Sequence, residues 1–182
     1  MGDQPLNPQP TDEMLRAPVE VLGGTVQEGW IDYNGHLNAG YYLVAFDDAI
    51  SPWMDFIGLG TAHREVHDIT TFSAENHITY LREIGPEEPY VISVQLLGFD
   101  RKRVHAFQVM TQTDDDYLVA TCEVMSLHID GPARRVRTMD DEPYRRLGEV
   151  WEAHQHLALP PQVGHVINIR PSVEARLHPD LR

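Results

Sequence analysis

One stretch limits the possible folds of this chain more than any other. From Ala39 to Ile57 the apolar residues Tyr42, Leu43, Phe46, Ala49, Ile50, Trp53, Met54 and Ile57 recur at intervals of three and four, which is the spacing of a helix buried along one broad stripe. Gly58 and Gly60 follow at once and stop it. So apolar a helix needs a covering surface, and most of the remaining chain reads as strands. Val19 to Trp30 carries β-branched residues around a Gly23-Gly24 pair, the pattern of a strand with a bulge or sharp twist. After a polar connection come four strand-like segments, Thr71 to Leu81, Tyr90 to Phe99, Val104 to Thr113 and Tyr117 to Ile129. Their separators, Gly85 to Pro89, Asp100 to Arg103 and Asp114 to Asp116, are turn-rich and short enough for hairpins between antiparallel neighbours. One strand, one long helix and a four-strand meander make an α+β pattern.

The flanks are simpler. Residues 1–18 are rich in Pro, Asp and Gln without periodicity and read as a flexible N-terminal arm. Asp141-Glu142-Pro143 resembles a helix start, and Tyr144, Leu147, Val150, Trp151 and His154 mark one face of a C-terminal helix. From Leu159 onward the proline-bearing chain reads as an extended tail that covers the sheet or a partner subunit. The expected organisation is an arm at 1–18, a core domain at 19–130, and a helix and tail at 131–182 packing on that domain, consistent with one domain in 182 residues.

Charge and cysteine content exclude whole classes of function. A formal net charge of −14 opposes long-range attraction to nucleic acid or anionic membrane. No stretch approaches the ~18 to 20 apolar residues of a membrane span, and Asp3, Asp12 and Glu13 interrupt any apolar signal core near the start. The lone Cys122 excludes an intrachain disulfide and a multi-thiolate zinc site. The expectation is a cytoplasmic protein without cofactor or metal. His63 and His67 have helical i, i+4 spacing but lack the glutamate of the zinc-protease motif, and Cys122 reads as an ordinary buried thiol.

The chemistry concentrates just before the long helix. In Trp30-Ile31-Asp32-Tyr33-Asn34-Gly35-His36-Leu37-Asn38, a carboxylate, a carboxamide and an imidazole occupy every second position. A carboxylate attacks an acyl carbon or activates water, an amide orients a nucleophile, and an imidazole donates to an oxyanion or relays a proton. The segment reads as an active-site loop with Asp32, Asn34 and His36 as candidates. Asp, Asn and Gly are also common in tight turns and helix caps, and a cap is the expected role of Asn38. On the first of the four later strands Glu75 shares a face with His77, and on the last Glu123 shares one with Val119, Thr121, Met125 and Leu127. Glu75 is a candidate to assist water activation from across a dimer interface, or else a structural hydrogen-bonding group; Glu123 reads as structural.

The order of elements resembles the hot-dog fold, an antiparallel sheet wrapped around a long central helix. Asp32-x-Asn34-x-His36-x-Asn38 before that helix looks like the signature of its acyl-CoA thioesterases, including the 4-hydroxybenzoyl-CoA type, in which the Asp-x-x-Gly core aligns with Asp32 and Gly35. A closer resemblance runs through Glu75-x-His77-Ile78-x-Tyr80-Leu81-Arg82-Glu83, through Ala120-Thr121-x-Glu123-x-Met125-x-Leu127-His128, and through Ala153-His154 with Pro160-Pro161. Together these resemble the betainyl-CoA thioesterases of carnitine catabolism. The resemblance implies an acyl-CoA thioester hydrolase with Asp32 as its catalytic carboxylate, acting as a homodimer or dimer of dimers. Gly35 and Leu37 are the expected backbone donors to an oxyanion at the helix N-terminus. CoA brings phosphates, and among thirteen arginines and one lysine the turn Arg101-Lys102-Arg103 is the densest basic site. Trp30, Tyr33, Tyr41, Tyr42 and Phe46 are the expected acyl pocket, since aromatic faces attract a quaternary ammonium; aromatic residues on a central helix are equally ordinary core. The competing readings are a hot-dog dehydratase or hydratase acting on acyl thioesters, and a non-catalytic acyl-CoA-binding protein.

Overall fold

The computed structural model describes residues 18–167; the N-terminal arm expected at 1–18 falls almost wholly outside them, as does the tail from 168 on. The elements in chain order are β1 (Val19–Thr25), a 3-10 turn (Glu28–Trp30), α1 (Ala39–Phe56), α2 (Thr61–His67), β2 (Ile69–Tyr80), β3 (Pro89–Phe99), β4 (Arg103–Gln112), β5 (Tyr117–Asp130), β6 (Arg135–Val136) and α3 (Asp141–His154). The antiparallel sheet has the order β1-β3-β4-β5-β2, with β6 added beside β5. It curls around α1 in the hot-dog arrangement. Register shifts in β1, β2, β3 and β5 mark the irregularities that bend a sheet.

The helix forms where its periodicity predicts. Asn38 caps it, its side chain accepting the Gly40 N–H, and Gly58, at φ +80°, takes the left-handed turn that follows its end. Tyr42, Ala45, Phe46, Ala49, Trp53 and Met54 are buried against the sheet. Leu43 and Val44 are the exceptions, pointing outward at 42% and 41% exposure. Pro52 costs one backbone hydrogen bond, and the helix runs through it.

Three expectations need correction. The first strand is shorter than predicted, ending at Thr25 before the 3-10 turn, and its bulge lies between Glu20 and Leu22, upstream of the glycine pair. Val21 and Leu22 are both buried, and a bulge lets consecutive residues face one side. The polar connection holds a short helix, α2. Lastly, the four later strands are not a simple meander: β2 pairs with β5 from Ile69↔Asp130 to Tyr80↔Ala120, whereas only β3, β4 and β5 are joined by hairpins. The link 81–88 between β2 and β3 therefore crosses the end of the sheet. Three strand spacings are roughly 14 Å, well within the ~26 Å reach of eight extended residues.

That crossing link positions the loop before α1. Ile84 is buried and its carbonyl accepts the Leu37 N–H at 2.9 Å, while Val26 and Glu87–Glu88 exchange backbone bonds of 2.9 and 3.0 Å. At the other end of the molecule α3 buries Pro143, Leu147, Val150 and His154. The His154 Nδ1 accepts the buried Leu96 N–H at 2.9 Å, beside the irregularity between Leu96 and Gly98 in β3. The tail reaches the outer sheet face, where the Gly164 N–H donates to Glu123 Oε2 at 2.7 Å.

Candidate active site

Asp32 begins a closed turn. Ile31 and Leu37 form an antiparallel bridge, the Asp32 N–H donates to the His36 carbonyl at 3.0 Å, and the Gly35 N–H returns to the Asp32 carbonyl at 3.0 Å. Gly35 sits at φ +84°, where a side chain is strained. The Asn34 N–H donates to Asp32 Oδ1 at 2.8 Å, so the turn fixes the carboxylate as well as the backbone. Trp30 closes the far side, its carbonyl accepting the Asn38 N–H at 2.9 Å. The Asp32 side chain keeps only 14% exposure.

The carboxylate heads a cleft of about 310 Å³, lined also by His36, Ala39, Tyr42, Tyr80 and Glu83. Ala39 is the first residue of α1, so the positive end of the helix dipole opens here. His36 stands between two carboxylates, Nδ1 4.0 Å from Asp32 Oδ1 and Nε2 4.0 Å from Glu83 Oε2. The Tyr80 hydroxyl donates to the Ala39 carbonyl at 3.0 Å. Its ring meets that of Tyr42 at 75° with centroids 5.1 Å apart. Burial, then the neighbouring Tyr117, Tyr80, Glu83 and Asp32, push the Tyr42 hydroxyl up to about 12. A second cavity of about 500 Å³ adjoins the first, sharing His36, Arg82 and Glu83 and adding Glu88, Asp115 and Tyr117. Arg82 lies 4.0 Å above the Tyr117 ring and is the one cationic side chain lining either cavity among the described residues.

The profile of the thioesterase-like superfamily matches residues 26–147, spanning this site and nearly all of the sheet. The chain belongs to that superfamily. It is 35% identical over 144 residues to a betainyl-CoA thioesterase of Pseudomonas aeruginosa, covering 78% of this chain and 89% of that protein. It is 30% identical to an L-carnitine dehydrogenase/betainyl-CoA thioesterase of a Rhizobium species, across 82% of this chain and 30% of that longer protein. A Staphylococcus aureus protein solved in complex with CoA superposes with a TM-score of 0.76 at 28% identity, over 81% of this chain and 93% of that one. The protein is a thioester hydrolase with the hot-dog fold.

Within this thioesterase the expected site residues divide. Asp32, His36 and Tyr42 line one cleft; Asn34 is exposed on the loop, with its N–H on Asp32. Gly35 and Leu37 are not available as oxyanion donors, because the Asp32 and Ile84 carbonyls already take their N–H groups. The acyl pocket also changes composition. Tyr33 is 97% exposed and Phe46 is sealed in the core, while Trp30 and Tyr41 stack on each other at 5.6 Å outside the lining of the cleft. Tyr80, Glu83 and Arg82 take their places. All three lie in the Tyr80-Leu81-Arg82-Glu83 run, whose pattern was visible in the sequence but whose position beside Asp32 depends on the crossing link.

Two other groups lie elsewhere. Glu75 opposes Met125, and the next residue, Asn76, opposes core-facing Val124, so Glu75 points to the outer sheet face, away from α1. There it lines a separate cavity of about 340 Å³ with His77, His105 and Glu123, where His105 Nε2 and Glu123 Oε1 are 2.8 Å apart. Arg101, Lys102 and Arg103 form the β3–β4 turn, at the end of the sheet opposite Asp32 and roughly 30 Å away by strand length. Arg101 pairs with Asp141 at 2.8 Å and covers the Tyr144 ring. Arg103 pairs with Asp100 at 2.6 Å and holds that carboxyl below the usual carboxylate range. Within one chain these residues do not reach a thioester at Asp32. Cys122 is buried and its thiol is pushed up to about 12 by burial, which leaves it without nucleophilic character. No cluster of three metal-binding side chains occurs among the described residues.

Proposed function

We propose that this enzyme hydrolyses betainyl-CoA to glycine betaine and CoA, with Asp32 as the reacting carboxylate. The observation that carries the chemistry is the position of that carboxylate, nearly enclosed at the head of a largely apolar cleft and beside the first turn of α1. The acyl group is supported by the Pseudomonas aeruginosa relative, whose similarity covers 78% of this chain. Asp32 Oδ1 is occupied by the Asn34 N–H, which leaves Oδ2 for reaction. That oxygen either attacks the carbonyl carbon, giving a mixed anhydride that water opens, or takes a proton from a water that attacks the same carbon. On both routes the C–S bond breaks, CoA leaves with its thiol protonated, and one water is consumed.

The developing oxyanion is received by the Ala39 N–H at the start of α1, where the helix dipole favours negative charge; the next two N–H groups, of Gly40 and Tyr41, are already taken by Asn38. His36, held between Asp32 and Glu83, carries protons between the carboxylates and the cleft, and Asn34 orients water at its rim. Arg82 replaces the 101–103 turn as the cation facing the CoA side. A second copy of the chain pairs along β2, the sheet edge beside β5, and covers Leu43, Val44 and Leu81, each exposed by more than 40%. No helix among the described residues is long and apolar enough to cross a membrane, and the lone buried cysteine suits a protein working in the reducing cytoplasm.

The test is thiol release from a panel of acyl-CoAs that includes betainyl-CoA. Betainyl-CoA is expected to be the fastest substrate. Binding without thiol release from any member would instead mark an acyl-CoA-binding protein, and consumption of an enoyl or hydroxyacyl thioester without thiol release would mark a dehydratase or hydratase.

A further inference from the structure

We propose that Tyr42 and Tyr80, together with the Asp32 and Glu83 carboxylates, form the subsite that reads the positive charge of the acyl group. The inference rests on the betainyl reading and adds to it which residues select the cation.

Reach restricts the choice first. In a betainyl thioester one methylene separates the ammonium nitrogen from the scissile carbonyl carbon, an N–C–C step of about 2.5 Å. A carbonyl within reach of Asp32 therefore carries its cation into the same cavity. Trp30 and Tyr41 stack with each other outside the lining of that cavity, and Phe46 is sealed in the core. Tyr42 and Tyr80 are the aromatic side chains that line it. The two rings are in edge contact at 75°; Tyr80, 52% exposed, offers the open ring surface on which a trimethylammonium group can rest, and Tyr42, 4% exposed, backs it.

The chemistry of the walls suits the same cation. A quaternary ammonium has no N–H to donate, so it gains from ring faces and carboxylates and needs no hydrogen-bond acceptor. The Tyr80 hydroxyl is directed to the Ala39 carbonyl at 3.0 Å, which anchors the ring to the start of α1 and uses the hydroxyl proton elsewhere. Leu37 and Leu81 complete the apolar lining. Two carboxylates, Asp32 and Glu83, border the cavity against one guanidinium, and that of Arg82 is drawn over the Tyr117 ring of the neighbouring cavity. The carbon isostere of the acyl group, 3,3-dimethylbutyryl, has the same shape without the charge. It is the natural control.

The experiment compares kcat/KM for betainyl-CoA and 3,3-dimethylbutyryl-CoA in the parent protein and in Tyr80→Leu, Tyr80→Phe and Glu83→Gln. The parent is expected to favour the charged substrate at least tenfold. Tyr80→Leu and Glu83→Gln should each reduce that ratio several-fold, and Tyr80→Phe, which keeps the ring, should retain most of it. Tetramethylammonium should also compete with betainyl-CoA in the unaltered protein, whereas tert-butanol at the same concentration should not, a measurement that stands even if a variant fails to fold. A parent preference that survives both Tyr80→Leu and Glu83→Gln overturns the subsite and leaves the betainyl assignment standing. No parent preference for the charged substrate overturns both, while thiol release from the neutral one leaves thioester hydrolysis intact.

Discussion

Replacing Asp32 tests whether its carboxylate does chemistry or only builds the turn, because two substitutions separate those roles. In Asp32→Asn the side-chain Oδ1 remains as an acceptor for the Asn34 N–H, a bond of 2.8 Å in the parent, so the turn survives while the charge is lost. Asp32→Ala removes both. Loss of a positioned carboxylate is expected to cost about 10³-fold in kcat/KM, or ~4 kcal/mol at 1.36 kcal/mol per decade, and the cost should be alike in the two variants. Stability should differ instead: Asp32→Asn should unfold within about 0.5 kcal/mol of the parent, whereas Asp32→Ala should lose about 1 kcal/mol with its hydrogen bond. Thiol-release kinetics and urea unfolding on the same preparations provide both numbers. An Asp32→Asn protein retaining more than a tenth of parent kcat/KM would refute a catalytic role. If both variants instead lose comparable stability, the activity loss would trace to a disordered loop.

Two further outcomes follow from buried groups. The Cys122 thiol and the Tyr42 hydroxyl are each pushed up to about 12 by burial, so above the unfolded thiol's range, about pH 8.5, the unfolded chain releases protons that the folded one retains. Stability is therefore present in full below that pH and falls as pH rises toward 12. Cys122→Ala should flatten the decline of the urea midpoint between pH 8.5 and 10, and an identical decline in parent and variant would exclude the thiol as its source. His154→Leu should destabilise the fold by about 1–3 kcal/mol, because the buried Leu96 N–H loses its acceptor; a change under 0.5 kcal/mol by denaturant unfolding would show that the bond is dispensable.

What the sequence determined by itself was local. The 3.6-residue period of Tyr42, Phe46, Ala49 and Trp53, the caps at Asn38 and Gly58, and the alternation within the strands depend on neighbours a few residues apart, and each reappears in the structure. The Asp32 loop was legible for the same reason, since Gly35 and Asn34 complete its turn within five residues. Tertiary structure decided the rest. Whether 81–88 turns back as a hairpin or crosses the sheet depends on which strand β2 pairs with, and no local pattern encodes that choice; the crossing brings Tyr80, Arg82 and Glu83 to Asp32 and occupies the Leu37 N–H. Alternation correctly put Glu75 and His77 on one face, but the register shift between Ser73 and Glu75 resets which face that is, since one extra residue inverts every side chain beyond it. The charge of Arg101 and Arg103 was plain in the sequence, as was the carboxylate of Asp100 three residues before Arg103, while their position at the far end of the sheet followed from strand length and the pairing of Arg101 with Asp141 from packing between segments forty residues apart.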